Sequence, residues 1–246
     1  MTQNIYDNND FFSSYKTLRE NEDNYNILLE QPAMLKLLPN VKNKAVIDLG
    51  CGFGDNCMNF VNSGARRVVG VDISRNMLNM AKNRNNDDRI EYVHLPLENL
   101  SELSGRFDLA YSSLCFHYLK DFDKLINDIA VKLNPNGVLL FSQEHPIVTA
   151  SAGYYRIDEN GEKVFCFCNY QDEKTARVEK WFVDGVIKYH RTFSTIINTL
   201  ADNGFIIEKT AEPVPSAYAL SKRNGLNKEF IKPTFLIIKA KKGKFI

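Results

Sequence analysis

The chain has 246 residues, 44% of them hydrophobic and 25% charged, and a formal net charge of +1. Those values suit one globular domain with a full core, and they exclude a whole-chain electrostatic bias toward nucleic acid or a membrane surface. The longest apolar runs, such as VLLF at 138–141, are far too short to span a bilayer, and MTQNIYDNND at the start lacks the basic and apolar regions of a secretory signal.

Residues 1–43 hold two short helical stretches ahead of the first strand. From 44 to 142, short β-branched runs alternate with helical segments. Strands are predicted over 45–49, 67–72, 90–95, 107–112 and 137–142. Ser74 opens one helix, with Met77, Leu78 and Ala81 on a common face. Asp123 opens another, with Leu125, Ile126, Ile129 and Leu133 turned inward. The turn NPNG at 134–137 closes that helix, because proline and glycine cannot continue it. Strands and helices alternating at this length predict an α/β fold with a parallel sheet covered on both faces. After 142 the rhythm breaks. Residues 145–192 are aromatic and charged without a clear period, and read as an insertion over the sheet edge. The pattern returns with a helix over 194–201, closed by Asn203-Gly204, and strands over 205–209 and 234–239. The lysines at 239, 241, 242 and 244 form a small basic tail, read as a solvated end.

The five cysteines (51, 57, 115, 166, 168) are odd in number and lack a C-x-x-C pair. Unpaired thiols in a reduced, cytoplasmic chain are the simplest reading. Cys166-Phe167-Cys168 would place its thiols poorly for a shared metal, and the four histidines show no ligand spacing, so no metal is expected. The G-x-S-x-G nucleophile elbow is absent.

The stretch VIDLGCGFGDN at 46–56 sets Gly50, Gly52 and Gly54 at alternate positions, with Asp48 before them and Asp55 after. It is a strand-to-helix turn, serving either the backbone alone or a ligand laid against it. A dinucleotide fingerprint, G-x-G-x-x-G, needs glycine where Asp55 stands. A carboxylate at that helix N-terminus would repel a pyrophosphate, which weakens the reading as a nicotinamide-dependent oxidoreductase. The order Asp48-Leu-Gly50-Cys-Gly52-Phe-Gly54, followed by VVGVDIS ending in Asp72, resembles the D-x-G-x-G-x-G loop and second strand of class I methyltransferases, which bind S-adenosylmethionine. Residues 41–145, including RFDLAYSSLCFHYLKDFDKLINDIAVKLNPNGVLLFS, are similar to the methyltransferase-11-like branch of that family.

The resemblance implies one three-layer Rossmann-like domain over 1–246, with a seven-stranded, mostly parallel sheet whose last strand is antiparallel. Its lid would come from 1–43 and 145–192. S-adenosylmethionine would be the cofactor and S-adenosylhomocysteine the product. Asp48, Gly50, Cys51 and Gly52 would approach the methionine part, Asp72 the ribose, and Ile73 and Met77 the adenine. Leu97 and Glu98 would take the adenine edge; Pro96 stands where many relatives carry an aspartate, which leaves the adenine N6 contact to Glu98 or to backbone. Ser112 and Ser113 would line the methionine end. Tyr15 and Arg19, four apart on a helix, would cap it, with Arg19 on the methionine carboxylate.

Methyl transfer needs positioning, and a base only where the acceptor carries a proton. His145 in SQEHP, beside Glu144, is either that base or a histidine bonded to local backbone. His190 and Arg191 either reach over the site or anchor the insertion. Tyr154, Tyr155 and Trp181 either line an acceptor pocket or form the insertion's own core. His117, in apolar LCFHYL, reads as packed, and His94 has no role. The expected function is methyl transfer to a small-molecule acceptor. The alternatives are an RNA or tRNA base methyltransferase, which would want a contiguous basic face, and a non-catalytic S-adenosylmethionine-binding protein.

Overall fold

In the computed structural model, which describes residues 3–150 and 153–243, a seven-stranded sheet is built around β1 (Ala45–Leu49). On one side of it lie β2 (Arg67–Asp72) and then β3 (Ile90–His94). On the other lie β4 (Phe107–Ser112) and β5 (Leu133–Glu144). Beyond the insertion, which carries β6 (Tyr154–Ile157), β7 (Lys163–Cys166), β8 (Arg177–Trp181) and β9 (Val183–Lys188), come β10 (Phe205–Ala211) at the edge and β11 (Phe235–Lys242) between β10 and β5. Strand β11 runs antiparallel to both neighbours and every other pairing in the sheet is parallel, so the last strand is the antiparallel one, as expected.

Every residue of β1 is buried, as a parallel strand covered on both faces requires. Its side chains alternate between two cores. Ile47 and Leu49 pack with Leu125, Ile126 and Ile129 of α5 (Phe122–Lys132) and with Ile196 and Leu200 of α7 (Phe193–Asp202). Val46 packs on the opposite face with Met34 of α2 (Gln31–Leu37), Phe60 and Val61 of α3 (Asp55–Asn62), and Leu78 of α4 (Arg75–Arg84). The Ser74 hydroxyl caps α4 by accepting from the Met77 amide, and Met77, Leu78 and Ala81 are its buried residues.

Four details differ from expectation. The cap of α5 is Asp121, two residues earlier than Asp123; its carboxylate accepts from the Lys124 amide. The NPNG stretch belongs to β5 as an irregularity with a left-handed Asn136, where the partner of β4 shifts from Leu133 to Val138. The insertion is ordered into a short helix α6 (Pro146–Thr149) and two antiparallel hairpins, β6 (Tyr154–Ile157) with β7 (Lys163–Cys166) and β8 (Arg177–Trp181) with β9 (Val183–Lys188). The basic tail is largely sheet. Lys239, Lys241 and Lys242 lie on β11, and Lys242 is buried with its ammonium on the Leu133 carbonyl. Lys244 lies outside the described residues.

The N-terminal segment crosses the carboxyl ends of the strands before α1 (Asn9–Glu20). Gln3 bonds the Gly185 carbonyl and Ile187 amide of β9, Asn4 bonds the Ile73 carbonyl, and the Asp7 carboxylate accepts from the Ser74 hydroxyl and the Asn76 amide. One short strap thus ties the second insertion hairpin to the start of α4.

Candidate active site

A cavity of about 490 Å³ opens at the carboxyl ends of β1, β2, β4 and β5, where open α/β sheets hold ligands. Its floor is the glycine loop. Gly50, Gly52 and Gly54 all take positive φ, between 54° and 77°. At Gly50 a Cβ would stand 2.6 Å from Cys115 Sγ, and at Gly54 one would overlap the Tyr92 hydroxyl. At Gly52 a Cβ would meet nothing, so that backbone is bare to open space.

Asp72, at the end of β2, fixes this loop. Its Oδ2 accepts from the Gly52 amide at 2.9 Å and its Oδ1 from the Ser74 amide at 2.8 Å. Burial raises its pKa to about 6, against the lowering effect of those amides. Asp48, beneath the loop, accepts from the Cys57 thiol, and its Oδ1 has no partner. Burial raises it to about 7. The hydrogen bond between Cys51 and Cys57, with burial, holds the Cys51 thiol above its usual range; that bond lowers Cys57, but burial and the Asp48 charge outweigh it and raise Cys57 too, so both remain protonated.

Tyr15, Arg19, Ile73, Met77, Leu97, Glu98 and Ser113 line the same cavity, as do Cys51 and Trp181. Arg19 faces Asp55 across 3.8 Å. Ser113 donates to Glu30 Oε1, which also accepts from Ser142, while Glu30 Oε2 has no partner. The far wall is aromatic. Tyr6, Tyr15, Tyr118 and Trp181 line it, with Tyr6 edge-on to Tyr15 and to Tyr118 and Tyr15 edge-on to Trp181. Beside it the Lys188 ammonium donates to Glu144 at 2.6 Å and to Glu179 at 2.9 Å.

A methyltransferase-domain family model matches residues 47–141, the stretch from β1 to β5. The crystal structure of an S-adenosylmethionine-dependent methyltransferase from Mesorhizobium loti superposes with a TM-score of 0.78 at 36% identity, over 87% of this chain and 97% of that one. The chain belongs to the S-adenosylmethionine-dependent methyltransferases. An uncharacterized protein of Haemophilus influenzae is 39% identical over 97% of this methyltransferase and 96% of its own length. Malonyl-(acyl-carrier protein) O-methyltransferase of Buchnera aphidicola is 31% identical over 50% of this chain and 49% of that enzyme, so the match spans about half of it.

The methyltransferase places several sequence-predicted residues elsewhere. Asp48 lies under the loop, and the Ser112 hydroxyl bonds the Leu49 carbonyl, so that both support the floor from below. His145 caps α6, with Nδ1 accepting the Ile147 amide and Nε2 on Glu212. It lines a separate, open depression with Tyr170 and Phe193. His190 is held between the Thr149 hydroxyl and the Tyr170 carbonyl. Arg191 is buried, bonds the Phe116, Leu119 and Lys120 carbonyls, and lies over the Phe122 ring. Tyr154 is 62% exposed on β6. None of these four lines the cavity.

Other residues take their places. His117 does line the cavity. Its Nδ1 accepts from the Glu144 amide at 3.4 Å, and burial together with the Lys188 and Arg191 charges holds its pKa well below the usual value. Sequence reasoning also missed Tyr6, Glu30, Tyr118, Glu179 and Lys188. Glu179 and Trp181 stand two apart on one strand, a same-face signal that was readable. Nothing local marks Glu30, whose place depends on a wide helical turn over Asn26–Glu30 that lets it reach β5.

Proposed function

We propose that this methyltransferase moves the methyl group of S-adenosylmethionine onto a small-molecule acceptor enclosed in the cavity. The observation that carries the reading is the open Gly52 backbone beside a buried Asp72, whose two oxygens each accept one loop amide and keep a lone pair for ribose hydroxyls. The bound cofactor supplies a methyl group on a cationic sulfur. Ile73, Met77 and Leu97 form an apolar slot for adenine, with Glu98 at its edge. The Gly50–Gly52 backbone, Arg19 and Ser113 face the methionine end. Asp48 and Asp72, raised by burial with no cation beside them, gain a counter-charge when a cation enters. The strap, α1 and the β8–β9 hairpin form the lid. With water kept out, holding the acceptor in line with the methyl group supplies the catalysis.

An acceptor small enough to be enclosed fits a cavity walled by Tyr6, Tyr118 and Trp181. The test is transfer of a labelled methyl group into a cell extract by the purified protein. Label in the small-molecule fraction, dependent on Asp72, is expected. Label confined to RNA or protein would overturn the acceptor class, and no binding of S-adenosylhomocysteine by calorimetry would overturn the whole reading.

A further inference from the structure

The acceptor half of the cavity has an uneven charge. Lys188, 6% exposed, is its one buried cation among the described lining residues, and it already donates to both Glu144 and Glu179. Burial acts against its ammonium, but the two carboxylates outweigh that and hold its pKa above the usual value. His117 is neutral for the reason given above. Burial keeps the Tyr6 and Tyr118 phenols protonated. The remaining basic lining residues are engaged elsewhere: Arg19 with Asp55, Lys180 with Asp184 in solvent, and Arg223 over the Tyr25 ring. Two carboxylates against one ammonium leave a charge of −1, held in a partly dry pocket beside Tyr6, Tyr118 and Trp181. Glu144 Oε2 adds a buried carboxylate oxygen with no partner.

Such a site discriminates between nucleophiles by what happens to charge during transfer. A carboxylate oxygen would bring a second negative charge into the subsite and lose it on methylation, so the cluster would oppose its binding. A neutral amine behaves in the opposite way. Its lone pair forms the new N–C bond as the C–S bond breaks with its pair left on sulfur, and the positive charge passes from sulfur to nitrogen. No proton moves in that step; an amine that arrives as an ammonium first releases its proton to water. The net −1 cluster and the aromatic faces then stabilise the cation formed on nitrogen.

We propose that the acceptor is an amine, methylated on nitrogen, and that Glu144, Glu179 and Lys188 form the subsite that holds the resulting ammonium. The proposal rests on the methyl-transfer reading above. Lys188 serves within it as the bridge that keeps two carboxylates together near the substrate.

The protein saturated with S-adenosylhomocysteine mimics the product state, and calorimetry can compare two probes of similar size in it. N-methyl-2-phenylethylamine, an ammonium at neutral pH, should bind at least ~10-fold tighter than 3-phenylpropionate. In Glu179→Gln that preference should shrink at least ~5-fold. The wild-type preference stands without the variant, and the variant's melting temperature reports its folding. Preference for the carboxylate, equal binding, or binding of neither probe would overturn the amine proposal. Failure to bind S-adenosylhomocysteine in the first titration would instead overturn the methyl-transfer reading.

Discussion

Asp72 holds the Gly52 amide on one oxygen and the Ser74 amide on the other, so it organises the glycine loop and the start of α4 before any ligand arrives. Deleting that carboxylate leaves two amides without partners in a buried place, a loss of about 1–3 kcal/mol in stability. On the function proposed above, it also removes the acceptor for the ribose hydroxyls. Asp72→Ala should therefore melt earlier and bind S-adenosylhomocysteine at least ~10-fold more weakly by calorimetry. Unchanged affinity would mean that the ribose is held elsewhere. Arg191 makes the opposite case. It does not itself line the cavity, and its guanidinium spans three carbonyls of the 116–120 loop while lying on Phe122. A lysine offers one point charge in place of a planar fork. Arg191→Lys should cost about 1–3 kcal/mol in denaturant unfolding with cofactor affinity unchanged. A fall in affinity with stability intact would return Arg191 to the site.

The strap before α1 is tied to the rest of the molecule through its side chains, and Asp7 makes most of those bonds at α4. Asp7 takes hydrogen bonds from Ser74 Oγ at 2.6 Å, the Asn76 amide at 3.0 Å and the Arg75 amide at 3.3 Å, placing a carboxylate at the N-terminus of α4. Burial works against it, but these donors hold its pKa below the usual carboxylate range. Its stabilising effect is therefore present above the unfolded-state pKa and lost as pH falls through the lowered folded value. Asp7→Ala should release the strap. The expected outcome is faster hydrogen exchange over residues 3–20 and about 1–2 kcal/mol lower stability, with α4 still protected because Ser74 remains its cap. Exchange that rises equally in α4 would show that Asp7 holds the helix and not the strap.

At the scale of the whole molecule, the parts visible in the sequence were those governed by local rules. The period of β1–β5, the Ser74 cap and the turn chemistry of Gly50–Gly54 depend on neighbours a few residues away, and they placed the glycine loop and Asp72 together at the strand ends. The rest of the cavity's surroundings was hidden, because it joins chain segments more than 100 residues apart: Tyr6 to Tyr118, Glu30 to Ser142. A histidine beside a strand end could not reveal whether it faces a cavity, and so His145 and His190 stood out while His117 did not. Charge unites the two halves. Five carboxylates line the cavity or its rim (Asp55, Asp72, Glu98, Glu144, Glu179), Asp48 lies under its floor, and the raised values of about 7 for Asp48 and about 6 for Asp72 mark what burial there costs. Because both folded-state values exceed the unfolded ones, the ligand-free fold takes up protons that the unfolded chain has released. The contribution of these two groups to stability thus falls as pH rises from about 4 to about 7. A cationic ligand reverses that balance by favouring the ionised carboxylates. Affinity for S-adenosylmethionine, which its sulfonium leaves with a net positive charge at these pH values, should weaken several-fold between about pH 8 and about pH 6, with protons released on binding at the lower pH. Calorimetry in buffers of differing ionisation enthalpy counts those protons. Asp48→Asn should flatten the dependence and raise the melting temperature of the ligand-free protein near about pH 8, trading affinity for stability. An affinity independent of pH, with no proton released, would mean that the cavity's charge is settled before the ligand enters.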